Sequence, residues 1–119
     1  VKVLTEQLAH ELRQIPDHQV TAHLLVPGYT WTPMNFPNAD FSNAESKPAA
    51  PWSPEELMDF FAERLEKGDF YMIAGDNEVT PDVDRRRMEW AVNDMIQNRP
   101  ALSRWHPDYK DKFEEFMKS

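Results

Sequence analysis

The chain has no cysteine and only three glycines, and each shortage removes a class of chemistry. Without thiols there is no disulfide framework and no zinc site built on thiolates. Gly28, Gly68 and Gly75 stand far apart, so no glycine-rich phosphate-binding loop is present. No apolar run approaches the roughly 20 residues that span a bilayer, and the opening Val-Lys-Val-Leu-Thr-Glu-Gln lacks the layout of a signal peptide. A soluble, cytoplasmic chain with no membrane partner is therefore expected. Basic residues are also in the minority: 13 Lys and Arg against 21 Asp and Glu give a formal charge of -8 and a pI near 4.9. Such a surface repels phosphate backbones, which excludes nucleic acid as an expected partner. The one basic cluster, Arg85-Arg86-Arg87, is flanked by Asp82, Asp84 and Glu89, as on a solvated, locally paired helix face. His10, His18, His23 and His106 have no metal-ligand spacing and no accompanying carboxylate cluster, so no metal is expected.

What the chain does contain is aromatic bulk and an alternation of helical and extended patterns. Four Trp, seven Phe and three Tyr in 119 residues need something to pack against, although the length allows only one domain with a modest core. Val1, Leu4, Leu8, Leu12 and Ile15 recur at helical spacing. This pattern is already complete at Val1 without a Ser, Thr, Asp or Asn to cap it, as if the helix began further upstream. Val20 to Val26 reads as a strand apolar on both faces, the kind covered by helices in a parallel sheet. A long loop follows from Pro27 to Trp52, and loops of that length usually bind something or act as a lid. Ser53-Pro54-Glu55-Glu56 is a capping box opening a helix with Leu57, Phe60, Phe61 and Leu65 on its buried stripe, and Gly68 stops it. Phe70 to Ala74 is a short apolar strand ended by Gly75-Asp76-Asn77. Thr80-Pro81-Asp82 opens a helix with Met88, Ala91, Val92, Met95 and Ile96 on one side, and a last helix between His106 and Met117 carries Tyr109, Phe113, Phe116 and Met117.

The order helix, strand, loop, helix, strand resembles the carboxyl-terminal half of a classical short-chain dehydrogenase/reductase. Residues 1–12 are similar to the helix that carries that family's Tyr-x-x-x-Lys at its beginning, and Val20 to Pro27 to the next parallel strand. Pro27-Gly28-Tyr29-Thr30-Trp31-Thr32-Pro33-Met34 resembles the family's Pro-Gly-x-x-x-Thr-Pro-Met loop, and Ser53 to Ala74 its following helix and last strand. The resemblance covers residues 1–75. It implies an α/β fold, the carboxyl-terminal portion of a Rossmann-type doubly wound parallel sheet with extra carboxyl-terminal helices, in which 1–119 is a single partial domain and 76–119 a helical tail.

The implied activity is hydride transfer between NAD or NADP and a carbonyl or alcohol substrate. Carried over residue by residue, Pro27, Gly28, Thr30 and Thr32 would contact the cofactor. Glycine lets backbone approach the ring and the Thr32 hydroxyl suits an amide. Tyr29, Trp31, Met34 and Phe36 are bulky and close together on the long loop, as suits an apolar wall for a small-molecule substrate. No catalytic residue is expected in the chain: the family's glycine-rich turn, Asn, Ser, Tyr and Lys all precede Val1 in its order, and Tyr29, Tyr71 and Tyr109 are not followed four places later by Lys. The implied partners are the N-terminal half of the same protein and further copies, in a homodimer or homotetramer formed through the first helix. From the residues alone, a self-contained acidic protein-interaction module without enzymatic activity is the alternative.

Overall fold

Apolar residues recurring every three or four positions from Val1 onward form helix α1 (Lys2–Arg13) in the computed structural model, which describes all 119 residues. Strand β1 (Leu24–Val26) follows, then helix α2 (Pro54–Glu66), strand β2 (Tyr71–Ile73), helix α3 (Pro81–Ile96) and helix α4 (Lys110–Lys118). Single 3₁₀ turns stand at Ala44–Ser46 and Ser103–Trp105. The chain divides into two compact units, Val1–Glu78 and Val79–Ser119.

In the first unit β1 and β2 pair in parallel, with Leu24 opposite Tyr71, Leu25 opposite Met72 and Val26 opposite Ile73. Parallel neighbours need a crossover connection, and α2 lies on it. Ser53 accepts from the Glu56 N–H at 3.1 Å while the Glu56 carboxylate accepts from the Ser53 N–H at 3.2 Å, so the capping box forms as its sequence requires. The helix closes on Gly68, whose φ of +75° places it in the left-handed region. There the Gly68 N–H donates to Leu65 at 3.0 Å and the Asp69 N–H to Arg64 at 3.1 Å, a pattern that favours glycine.

The expected doubly wound Rossmann-type sheet is not formed: this is a small mixed α/β protein with four helices and one two-stranded parallel sheet. Only two segments of the chain form strands, three residues each. The strand read at Val20 to Val26 shortens because the chain that would pair with its first half is occupied by the Gly68-Asp69 helix ending. His23 instead reaches the Asp69 carbonyl through Nδ1 at 2.6 Å, and Val20 is 65% exposed. Nor is the strand covered on both faces, for Leu24 is buried, Leu25 half-buried and Val26 exposed. The core of this unit gathers Ala9, Leu24, Trp31, Pro51, Met72 and Ala74. The Leu57, Phe60, Phe61 and Leu65 stripe of α2 is partly covered, with none of the four fully buried.

The second unit is built around Trp90. Its indole meets the rings of Phe113 and Phe116 at 5.4 and 5.3 Å, which accounts for the aromatic spacing in α4. The expected apolar face of α3 is not the covered one: Met88, Val92, Met95 and Ile96 are exposed, and Trp90 faces inward. An indole brings more apolar surface than any of those side chains, and this unit supplies its N–H with a buried acceptor, Ser103 Oγ at 2.8 Å. Arg85, Arg86 and Arg87 pair with Asp82, Glu89 and Asp84 at 3.8, 3.2 and 3.8 Å, as their charge pattern requires. No helix is long and apolar enough to cross a membrane.

Candidate functional site

Pro27 and Gly28 leave β1 at the carboxyl end of the parallel pair, where Gly75 leaves β2. A Cβ on Gly28 would lie 2.4 Å from the Gly75 carbonyl oxygen and 2.7 Å from its carbon, so only glycine lets the two strand ends approach this closely. Residues 29–31 then continue alongside Trp52 in a parallel bridge: the Trp31 N–H donates to the Trp52 carbonyl at 2.8 Å and the Trp52 N–H to the Tyr29 carbonyl at 3.0 Å. This bridge closes the base of the long loop.

Asn77 fastens the loop's return. Its backbone N–H donates to the Ala50 carbonyl at 2.9 Å, its side-chain amide to the Ala49 carbonyl at 2.7 Å, and its Oδ1 accepts from the Trp52 indole at 3.2 Å. Lys47 adds bonds to the Pro48 and Pro51 carbonyls at 2.9 and 2.7 Å. A loop whose backbone carbonyls are bound by side chains in this way is held at both ends. Asn77 carries no sign of this in sequence beyond its place in a turn.

The cofactor-side residues are brought together but occupied to different degrees. Gly28 packs on Gly75, and the buried Thr30 hydroxyl donates to the Gly28 carbonyl at 3.0 Å, a local bond of the kind threonine often makes. Thr30's own carbonyl accepts from the Asn35 amide at 2.8 Å. Thr32 differs: its carbonyl accepts from the Asn35 and Phe36 N–H groups at 3.1 and 2.9 Å, while its half-buried hydroxyl has no partner in the chain.

The four bulky residues separate. Trp31 is 6% exposed and meets the Phe41 ring at 4.8 Å in a tilted pair, with its indole N–H buried and unbonded. Tyr29 and Phe36 pair at 5.2 Å. Met34 stands 91% exposed, away from both pairs.

Charged clusters lie elsewhere. On α1, Glu6 accepts from Lys2 at 2.9 Å and from the Tyr71 hydroxyl. The bond from Tyr71, then that from Lys2, holds the Glu6 carboxyl below its ordinary range, and the same bond raises the Tyr71 phenol. In the second unit Asp94 accepts from the Ser103 hydroxyl at 2.5 Å, the Ser103 N–H at 3.2 Å and Arg99 Nε at 2.9 Å. Arg99 also lies over the Trp90 ring at 3.8 Å and donates to the Trp90 carbonyl at 2.6 Å. Ser103 is fully buried between a donor and an acceptor, so this cluster staples helix to turn. No three His, Asp or Glu side chains converge as metal ligands.

Neither a family of known proteins, nor a curated protein, nor a solved structure matches this chain. Any functional reading therefore stands on the residues and their geometry.

Proposed function

We propose that residues 1–78 are the nicotinamide-side part of an NAD(P)-dependent oxidoreductase of the short-chain dehydrogenase/reductase kind, acting in the cytoplasm on a carbonyl or alcohol. The observation that carries this reading is the Pro27-Gly28 turn at the carboxyl end of two parallel strands joined through a helix, followed by a threonine hydroxyl with no partner. Ligands of α/β proteins sit outside the carboxyl ends of parallel strands. A free hydroxyl there can donate to and accept from a carboxamide.

In this reading Thr32 holds the carboxamide of NAD or NADP, and the backbone of Pro27, Gly28 and Thr30 lines the approach to it. Tyr29, Trp31, Met34 and Phe36 bound the substrate side. The nicotinamide, when bound, supplies or accepts the hydride. Proton transfer falls outside these residues, because Tyr29, Tyr71 and Tyr109 are followed four places on by Pro33, Gly75 and Phe113 rather than by lysine. The proposal assigns that step to the N-terminal half of the same protein, and assigns the exposed Leu4 and Leu8 of α1 to a contact between copies.

The protein purified from its source is to be sequenced upstream of Val1 and assayed for NADH- and NADPH-dependent reduction of carbonyl compounds. A Tyr-x-x-x-Lys directly before Val1, turnover, and a KM for cofactor raised about tenfold by Thr32→Val, as expected for one lost hydrogen bond, support the proposal. The isolated 119 residues are expected to be inactive and to bind dinucleotide poorly, since no helix start grips the pyrophosphate. Micromolar binding by the isolated chain, or a source protein with neither the Tyr-x-x-x-Lys nor turnover, contradicts it. The exposed apolar side of α1 favours a second reading, an acidic protein-interaction module without activity. That reading requires association without NAD(P)H turnover.

A further inference from the structure

The other end of the parallel pair, where the chain enters the strands, carries a groove that the proposed activity does not use. The inner side of α1 supplies Glu6, Ala9, Leu12 and Arg13, the approach to β1 supplies His18 and residues 20–23, and Gly68, Phe70 and Tyr71 lead into β2. Two cavities of about 340 and 220 Å³ share Ala9, Arg13 and Phe70 as walls. The room has identifiable causes. Ala9 is the smallest side chain on that face of the helix, and at Gly68 nothing lies within 4 Å of where a Cβ would stand.

Several side chains around this groove are bound within the chain. Glu6 is bound by Lys2 and Tyr71. His23 is bound at both ring nitrogens, to the Asp69 carbonyl at 2.6 Å and the Thr21 hydroxyl at 2.8 Å, and His18 Nδ1 meets the Val20 carbonyl at 3.1 Å. Arg13, solvent-exposed, lines both cavities and forms no ion pair, in a chain carrying eight more negative than positive side chains. A guanidinium presents a planar fork that matches a carboxylate. Beside it, Leu12, Val20, Ala22 and Phe70 offer apolar surface around the smaller cavity.

We infer that this groove binds a small carboxylate with an apolar body, its anion on Arg13 and its body over Phe70 and Val20. The site lies at the amino-terminal ends of β1 and β2, opposite the Pro27-Gly28 turn, so it is separate from the proposed cofactor crevice and does not depend on it.

The 119-residue chain is to be titrated with phenylbutyrate and with its neutral counterpart phenylbutanol, in the wild type and in Arg13→Gln and Arg13→Lys. Saturable phenylbutyrate binding is expected, weakened about fivefold by Arg13→Gln as for a solvent-accessible charge pair and partly restored by Arg13→Lys. Phenylbutanol should bind more weakly and be indifferent to either change. In the wild-type chain, nuclear Overhauser contacts from the phenyl ring to Phe70 and Val20 are expected, which keeps the test independent of how the variants fold. Non-saturating phenylbutyrate binding, equal affinity in Arg13→Gln, or ring contacts elsewhere would overturn the inference.

Discussion

The two units of this chain solve the same packing problem in opposite ways. Val79–Ser119 closes on a single indole, and Trp90, Asp94, Arg99 and Ser103 leave one another no unmet hydrogen bond at the centre. Val1–Glu78 buries more side chains, yet it keeps a buried Trp31 N–H without an acceptor, an unpaired edge on β1 and the exposed Leu4 and Leu8 on α1. Both units leave an apolar helix side exposed, Leu4 and Leu8 on α1 and Met88, Val92, Met95 and Ile96 on α3, but only the first sets a sheet edge beside an unpartnered threonine hydroxyl, and the candidate site and the groove both fall in it.

The largest expected effect is Asp94→Ala. Removing this carboxylate, 12% exposed, strands the Arg99 guanidinium and the Ser103 hydroxyl and N–H, costing about 3 kcal/mol. Amide exchange protection in α3 and α4 should fall while β1–β2 amide protection holds. Loss of both together would erase the contrast between the units. Gly28→Ala acts on the other side, because its Cβ collides with Gly75 backbone rather than a movable side chain, and about 2 kcal/mol is expected from such overpacking. Here the first unit's exchange protection should fall with the second unchanged; an unaltered first unit would refute the close approach of the strand ends.

Ser53→Ala removes one cap bond of α2 and should cost about 1 kcal/mol, read in the same exchange experiment. No loss would mean that tertiary contacts alone hold that helix. The smallest effect is that of acid. Burial opposes ionisation of Asp94, but the bonds from Ser103 and Arg99 outweigh it and keep its carboxyl below the ordinary range. A carboxyl lowered on folding stabilises fully above its unfolded value of about 3.9 and loses that contribution as pH falls through the folded value. The second unit should therefore weaken below about pH 4, and in Asp94→Asn the weakening should shrink. An identical acid response in that variant would assign the effect to other groups.

What was legible in the sequence was local. Ser53, Pro54 and Glu56 specify the start of α2, Gly68 specifies its end, and the Arg85-Arg86-Arg87 pairings follow from neighbours on one helix. Contacts set by distant residues were not. The first half of the expected strand at Val20 was lost to a helix ending more than forty residues away in sequence, at Gly68-Asp69. The apolar stripe of α3 pointed outward because the N–H of Trp90 meets Ser103 only after an intervening turn. The doubly wound sheet was an inference from two apolar runs, and two runs make one pair of strands. At the candidate site, Pro27, Gly28 and Thr30 were legible as a turn, whereas the Asn77 clamp across the loop's return depends on a pairing 27 residues distant, to Ala50, that no periodicity encodes.

Hydrogen–deuterium exchange of the residue 28–32 amides in the source-purified protein, with and without saturating NADH or NADPH, tests most directly the proposed contact of these residues with the nicotinamide. Slower exchange at Thr30 to Thr32 on adding cofactor is the predicted result. Cofactor that binds while these amides exchange at an unchanged rate would contradict it.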